Sequence, residues 1–300
     1  MDDTSIDRLK SLPQRADEIW QGGLIRMPHW ITGEGREPYR PYLPLWVAVG
    51  DDKVHAGTVT RPEERNLDLA MGALLEFALE DEFGGYRPGR IEVADQALAE
   101  RLLGVMAPCG IEVRLVERLE AITRVLKSME TFDREGEPPV PGALEGAGVS
   151  VERMRTFAEA AAAFYRAAPW RFLTDVDLIC IETPHALSGM EYFVVLGAGR
   201  SMYGLAFYAG AAEYAKFFRA ASDPSTPGFV GKGLWQLAFH PISRILSSDS
   251  DLWLDHGLPV AGDRAYPALG RISRPGRITR PSAGELAFVE GLLLALAETT

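Results

Sequence analysis

Glu191–Gly210 reads EYFVVLGAGRSMYGLAFYAG. A run of apolar and β-favouring residues, Tyr192 to Leu196, meets a Gly-rich break, and a second such run, Tyr203 to Tyr208, follows at once. That pattern predicts two buried strands joined by a tight turn. The same stretch is the chain's nearest approach to a nucleotide-binding fingerprint. Gly197 and Gly199 fit it, but Met202 stands where the third glycine belongs. A strand also follows where a helix must open to hold a pyrophosphate. Ser201 sits in a near nucleophile elbow, yet Tyr203 replaces the closing glycine and the context is strand to strand. The stretch is read as a hairpin, with no nucleotide fingerprint.

Working outward, the C-terminal half completes an α+β domain over residues 150–300, a largely antiparallel sheet with packed helices. Ser150 to Ala168 is an Ala-rich helix, Asp177 to Thr183 a strand, and Ala211 to Ala221 a helix. Residues 222–233 are a Gly/Pro/Ser loop and Leu234 to His240 a strand; 241–265 shows no clear element, and Tyr266 to Ile272 reads as an edge strand. Ser282-Ala283-Gly284-Glu285 is a capping box, in which each side chain takes the other residue's backbone N–H, and it opens the last helix.

Residues 133–149, rich in Pro, Gly and Glu, read as a linker. Before it, residues 1–132 form an α/β domain with an irregular N-terminal segment. Residues 1–20 suit a short amphipathic helix, and 21–44, full of Gly, Pro and aromatics, an irregular segment. Leu45–Val49 and Val54–Thr60 then read as a hairpin. Asn66 to Asp81 carries a helical apolar stripe, Arg90–Ala94 is a strand, and Asp95 is the N-cap of a helix through Met106. Ile111–Val116 and Glu117–Met129 add another strand and helix. Such alternation implies a mixed sheet with crossover helices. Gly50/Gly57 and Gly197/Gly204 repeat one spacing before a helix in each half, an echo that chance hairpins explain more plainly than duplication.

The 300 residues carry a formal net charge of −11, which argues against nucleic acid or an anionic membrane as partner. Protein or small-molecule partners are favoured instead. The two cysteines, Cys109 and Cys180, read as reduced thiols of a cytoplasmic protein, and the N-terminus has no apolar signal core. Asp249, Asp251, Asp255 and His256 could face a cation, but Trp253 breaks the calcium-loop pattern, and a solvated loop is the plainer reading. The other histidines (His29, His55, His185, His240) show no zinc spacing. Arg271, Arg274, Arg277 and Arg280 recur every third residue. If extended, they would line one face toward phosphate or carboxylate; otherwise they pair with the chain's own acids. Trp170, Tyr203 and Trp235 are candidates for lining a small-ligand pocket between the domains.

The first domain's order of hairpin, helix, strand ending in Asp95, helix and strand resembles a trimmed ribonuclease H-like core of integrase or transposase type. The resemblance implies two metal ions held by carboxylates on the first strand, the first helix and the fourth strand. Asp95 matches the last position, and Glu76 or Glu80 could serve from the helix. The strand Trp46–Val49 has no carboxylate; Asp51 and Asp52 come only in its turn, which favours an inactive site over an active one.

Further stretches are Arg87-Pro88-x-x-Ile91-x-Val93, Gly110-Ile111-x-Val113, Phe164 through Trp170, Tyr203 through Tyr208, and Gly257-Leu258-Pro259-Val260-Ala261-Gly262. Together they resemble a family of uncharacterised bacterial proteins built from two domains of unknown function. That resemblance implies no activity. The function expected is therefore a non-catalytic binding or interaction protein. The alternatives are a divalent-metal-dependent nuclease or phosphodiesterase on the first domain, and small-ligand binding between the domains.

Overall fold

Residues 14–26, expected as helix end and irregular segment, form the long central strand of the first unit. The periodicity of Ile6, Leu9 and Leu12 belongs to a real helix, α1 (Asp3–Ser11), which stops before Pro13. Beyond it, strand β1 (Gln14–Arg26) is hard to read because buried Glu18 and Gln21 and the pair Gly22-Gly23 interrupt its alternation. The computed structural model describes residues 3–33, 36–80, 85–131, 140–183, 187–199, 201–221, 233–274 and 277–299. The chain divides into two units, Met1–Glu135 and Gly136–Thr300.

In the first unit, β2 (Ile31–Gly33) and β3 (Arg36–Tyr39) make a small separate hairpin. The main sheet comprises β1, β4 (Tyr42–Ala48), β5 (Lys53–Ala56), β6 (Arg87–Val93) and β7 (Glu112–Leu115) in the order β5-β4-β1-β6-β7. β1 runs antiparallel to β4 and parallel to β6, and β6 is parallel to β7. The connecting helices are α2 (Leu67–Leu79), α3 (Gln96–Met106) and α4 (Glu120–Thr131). One sheet face packs Trp20, Trp46 and Ile91 against α1, α2 and α3 through Leu9, Phe77 and Leu98. The other packs Leu43, Leu45 and Val47 against Leu119 and Ile122 around α4. Trp46 also donates its indole N–H to the Ala70 carbonyl at 2.8 Å, which docks α2 on the sheet.

With the small hairpin set aside, the sheet runs third-second-first-fourth-fifth. Its first three strands are antiparallel, and the last two parallel to the first. This is the topology of a ribonuclease H-like core, and the first strand is β1 rather than Trp46–Val49.

The second unit is built otherwise. Its strands β8 (Ile179–Cys180), β9 (Tyr192–Leu196), β10 (Tyr203–Tyr208), β11 (Trp235–His240), β12 (Tyr266–Arg274) and β13 (Arg277–Thr279) lie side by side in chain order. Every neighbouring pair is antiparallel. The helices are α5 (Val151–Ala167), α6 (Ala211–Ala221), α7 (Ser247–His256) and α8 (Ala283–Thr299). Phe193, Val195, Leu205, Phe207 and Leu237 point to a core shared with Phe157 and Phe164 of α5 and Val289 of α8. The alternate residues Val194, Ala206 and Tyr208 face Tyr214 and Phe217 of α6.

The expected hairpin is β9–β10, and Gly197 closes β9 at φ 145°, where an added Cβ would come within 2.6 Å of the Trp170 Cβ. Ser150 and Asp95 cap α5 and α3, and the Ser282–Glu285 box caps α8.

Several expectations change. The acidic cluster lies on helix α7, with Asp249 buried, and not on a solvated loop. Tyr266 begins an interior strand, since β13 lies outside β12. The expected strand Asp177–Thr183 shrinks to Ile179–Cys180, because the Asp177 carboxylate is held by the Thr174 N–H and hydroxyl. One mixed sheet and one sequential antiparallel sheet have unrelated strand orders, which ends the duplication idea. Cys109 is buried and Cys180 exposed, both as free thiols. Among the described residues no helix is long and apolar enough to cross a membrane.

Candidate functional site

In the first unit, the N-termini of α2 and α3 meet in a patch of alternating charge. Asn66 caps α2, which brings Asp68 into its first turn. Asp95 caps α3 by accepting the Leu98 N–H at 3.0 Å. Each carboxylate has a guanidinium partner: Arg65 reaches Asp95 at 2.9 Å, and Arg101 of α3 reaches Asp68 at 2.5 Å. The Arg65 guanidinium also lies over the Tyr42 ring, 5.3 Å from its centroid.

The strand segment running past this patch is Gln21-Gly22-Gly23-Leu24, because Gln21 stands beside Glu92 and Gly23 approaches Leu98 in the first turn of α3. It carries no carboxylate. At Gly22 an added Cβ would fall on the Leu45 carbonyl oxygen and the Trp46 ring, so β4 occupies the space a side chain needs. The strand's own acids lie at its far end, where Glu18 accepts the Gly50 N–H at 2.9 Å. Gln21 binds Glu92 at 2.8 Å and accepts the Ala121 N–H at 2.8 Å, a structural bridge from sheet to α4.

The other carboxylate candidates lie elsewhere. Glu76 is exposed on α2, 3.4 Å from His55, and Glu80 is exposed just beyond that helix. Asp51 pairs with Arg15 at 2.5 Å and accepts from the Tyr86 hydroxyl at 3.3 Å. The Arg15 hydrogen bond holds the Asp51 carboxyl below the usual carboxylate range. Among the described residues no three Asp, Glu, His or Cys side chains gather to hold a metal ion. The two-metal carboxylate set implied by the ribonuclease H-like resemblance therefore does not fit these residues. Asp68 escaped the sequence reading because its proximity to the Asp95 helix depends on sheet order.

The second unit holds a cavity of about 350 Å³ between the outer sheet face and α6. Its floor is Val194 and Leu196 of β9, Ala206 and Tyr208 of β10, and Gln236 of β11. Tyr214, Phe217 and Phe218 of α6 roof it, and Asp175 and Met202 complete the rim. Tyr208 meets Tyr214 edge-on at 5.3 Å and Phe217 at 5.8 Å, and Tyr214 meets Phe218 at 5.8 Å.

Burial, reinforced by Tyr214, Glu213 and Asp175, holds the Tyr208 phenol far above the ordinary tyrosine range, so it keeps its proton. Tyr214 donates to the Asp175 backbone carbonyl at 2.9 Å. The sequence signal for this cavity was present in the opening hairpin. Strands apolar on both faces need a second covering layer, and α6 is that layer.

Trp170 and Tyr203 do come together, 4.7 Å between centroids, but on the opposite sheet face with Tyr165 and Phe239. Trp235 belongs to that same core and also lines the cavity. All three lie in the second unit.

The arginine series is no single extended ladder. β12 and β13 pair as a hairpin with Arg271 opposite Thr279 and Arg274 opposite Arg277. Arg271 donates to the Gly233 carbonyl at 2.8 Å. The Arg280 side chain is largely buried, donating to the Pro141 carbonyl and to Asp249, both at 2.6 Å. The Arg274 side chain and His185 lie outside the described residues.

Fold and site thus define a ribonuclease H-like α/β unit followed by an antiparallel α+β unit. Residues 5–130 match the model of a domain of unknown function, DUF6930, and residues 155–291 match another, DUF7309. No curated protein matches the chain. Among solved structures, the HTLV-2 integrase catalytic core domain in complex with magnesium, in its dimeric form, is 17% identical with a TM-score of 0.26. That match covers 41% of this chain and 77% of the integrase chain. The simian T-cell lymphotropic virus intasome in complex with PP2A regulatory subunit B56 gamma is 19% identical with a TM-score of 0.26, over 43% of this chain and 45% of that one. The fold assignment rests on strand order and direction.

Proposed function

We propose that the chain is a non-catalytic binding protein, with a ribonuclease H-like unit that lacks the metal-holding carboxylates. The observation that carries the reading is Gly22, whose missing side chain is replaced by the packing of β4 at the strand segment beside the Asp95 helix. Asp68 and Asp95 are each engaged by an arginine, which fits a structural patch better than a two-ion clamp. The net charge of −11 favours a protein or small-molecule partner over nucleic acid.

Thermal unfolding with Mg²⁺ or Mn²⁺ tests the reading, since an ion bound only by the folded state raises Tm. The expected outcome is no stabilisation that depends on Asp95. Asp95→Asn is the right variant, because an amide oxygen still caps α3. A rise in Tm that vanishes in Asp95→Asn, accompanied by cleavage of a phosphodiester substrate, overturns the proposal in favour of a metal-dependent phosphodiesterase.

A further inference from the structure

We propose that the cavity between the β9–β11 face and α6 binds a small organic cation with an apolar body, of the quaternary or substituted ammonium class. The inference deepens the binding reading above but rests on the other unit. Loss of one therefore leaves the test of the other intact.

Three observations converge. The walls are aromatic: Tyr208, Tyr214, Phe217 and Phe218 form one connected ring cluster beside a volume of about 350 Å³, within the range of small-molecule sites. Aromatic faces carry negative quadrupole density and attract cations that shed water easily, as alkylated ammonium groups do.

Second, the rim is acidic. Asp175 lines the opening, and its side-chain carboxylate has no hydrogen-bond or ion-pair partner among the described residues. No Lys, Arg or His lines the cavity among those residues; Lys216 and Arg219 of α6 are exposed and outside the lining. Among the described residues the charges acting on the two phenols are negative: Asp175 and Glu213 on Tyr208, Asp175 and Asp177 on Tyr214. No cation among the described residues is placed to hold an anionic ligand there.

Third, the remaining polar groups offer modest hydrogen bonding. The Tyr208 hydroxyl remains protonated, and one N–H of the Gln236 amide donates to the Met202 sulfur at 3.1 Å. The site is built for an apolar cation with little other polarity.

The test is titration of the full chain with choline and benzyltrimethylammonium, followed by calorimetry and ligand-observed NMR. Choline's uncharged dimethylbutanol isostere and benzoate serve as comparisons. Both cations are expected to saturate, the isostere to bind about fivefold more weakly, and benzoate not to bind. Asp175→Asn, an exposed change, should narrow the gap between choline and the isostere, the aromatic walls keeping the rest, while leaving the isostere unchanged. Ala206→Met, which fills the floor, should abolish both; a matching thermal-unfolding curve for Asp175→Asn guards against misfolding. The proposal is overturned if no cation saturates, if the isostere or benzoate binds as tightly as choline, or if Asp175→Asn leaves the difference intact.

Discussion

Gly22 and Gly104 occupy regular elements of the same unit yet make opposite demands. On α3, Gly104 has open space where a Cβ would stand, whereas at Gly22 the Leu45 carbonyl and the Trp46 ring fill it. Gly22→Ala must push β1 from β4, and overpacking of that kind costs roughly 1–3 kcal/mol. Gly104→Ala should be neutral, or stabilise by up to about 1 kcal/mol through helix propensity. Urea unfolding of the two variants separates them. If Gly22→Ala were tolerated as well as Gly104→Ala, the strand would have room for a side chain, and the claim that packing replaced a carboxylate would fail. The glycine pair itself was visible in the sequence. Its meaning was not, because a close approach of two backbones depends on which strand lies alongside.

At the scale of elements, local chemistry was the legible part. Asp95, Ser150 and the Ser282–Glu285 box marked helix starts correctly, since a cap needs only its own few neighbours. What stayed hidden were elements held by distant partners. Helix α7 has little apolar periodicity because its buried face includes an acid: Asp249 binds Arg280 at 2.6 Å and the Ala143 N–H at 2.8 Å. Burial raises the Asp249 carboxyl, opposed by Arg280 and that N–H. This pair ties α7, the segment before α8 and the turn at Ala143 together. Arg280→Ala, which strands a buried charge, should cost about 3–5 kcal/mol of the second unit's stability. Arg280→Met with Asp249→Leu should cost less than the single change, although the Ala143 N–H then lacks a partner. Equal losses in single and double variants, read by denaturation, would show that the charge pairing is not what matters.

For the whole molecule, the two units have separate cores, Trp20, Trp46 and Phe77 in one and Phe157, Phe164 and Phe207 in the other. Residues 1–135 and 136–300, expressed apart, should each unfold cooperatively. The second should also be sensitive to mild acid. Burial, helped by Arg244, lowers the His240 pKa, so the unfolded chain takes up the proton first, near pH ~6.5. The contribution is therefore complete above that value and is lost as pH falls through the lowered folded pKa. His240→Gln should flatten this window in a Tm-against-pH series. An unchanged slope would assign it to other groups.

The strand orders also set a timetable for a chain emerging from the ribosome. In the second unit each new strand finds its partner in the one just made, so pairing keeps pace with synthesis. In the first, β1 emerges early yet stands at the centre of its sheet. Trp20 waits for Ile91 across 71 positions of chain, and only then is its second edge closed. Non-local parallel pairing of this kind is slow, and an open strand edge with apolar neighbours is prone to self-association. The first unit is thus the part of this protein that should depend on chaperone protection while it is being made.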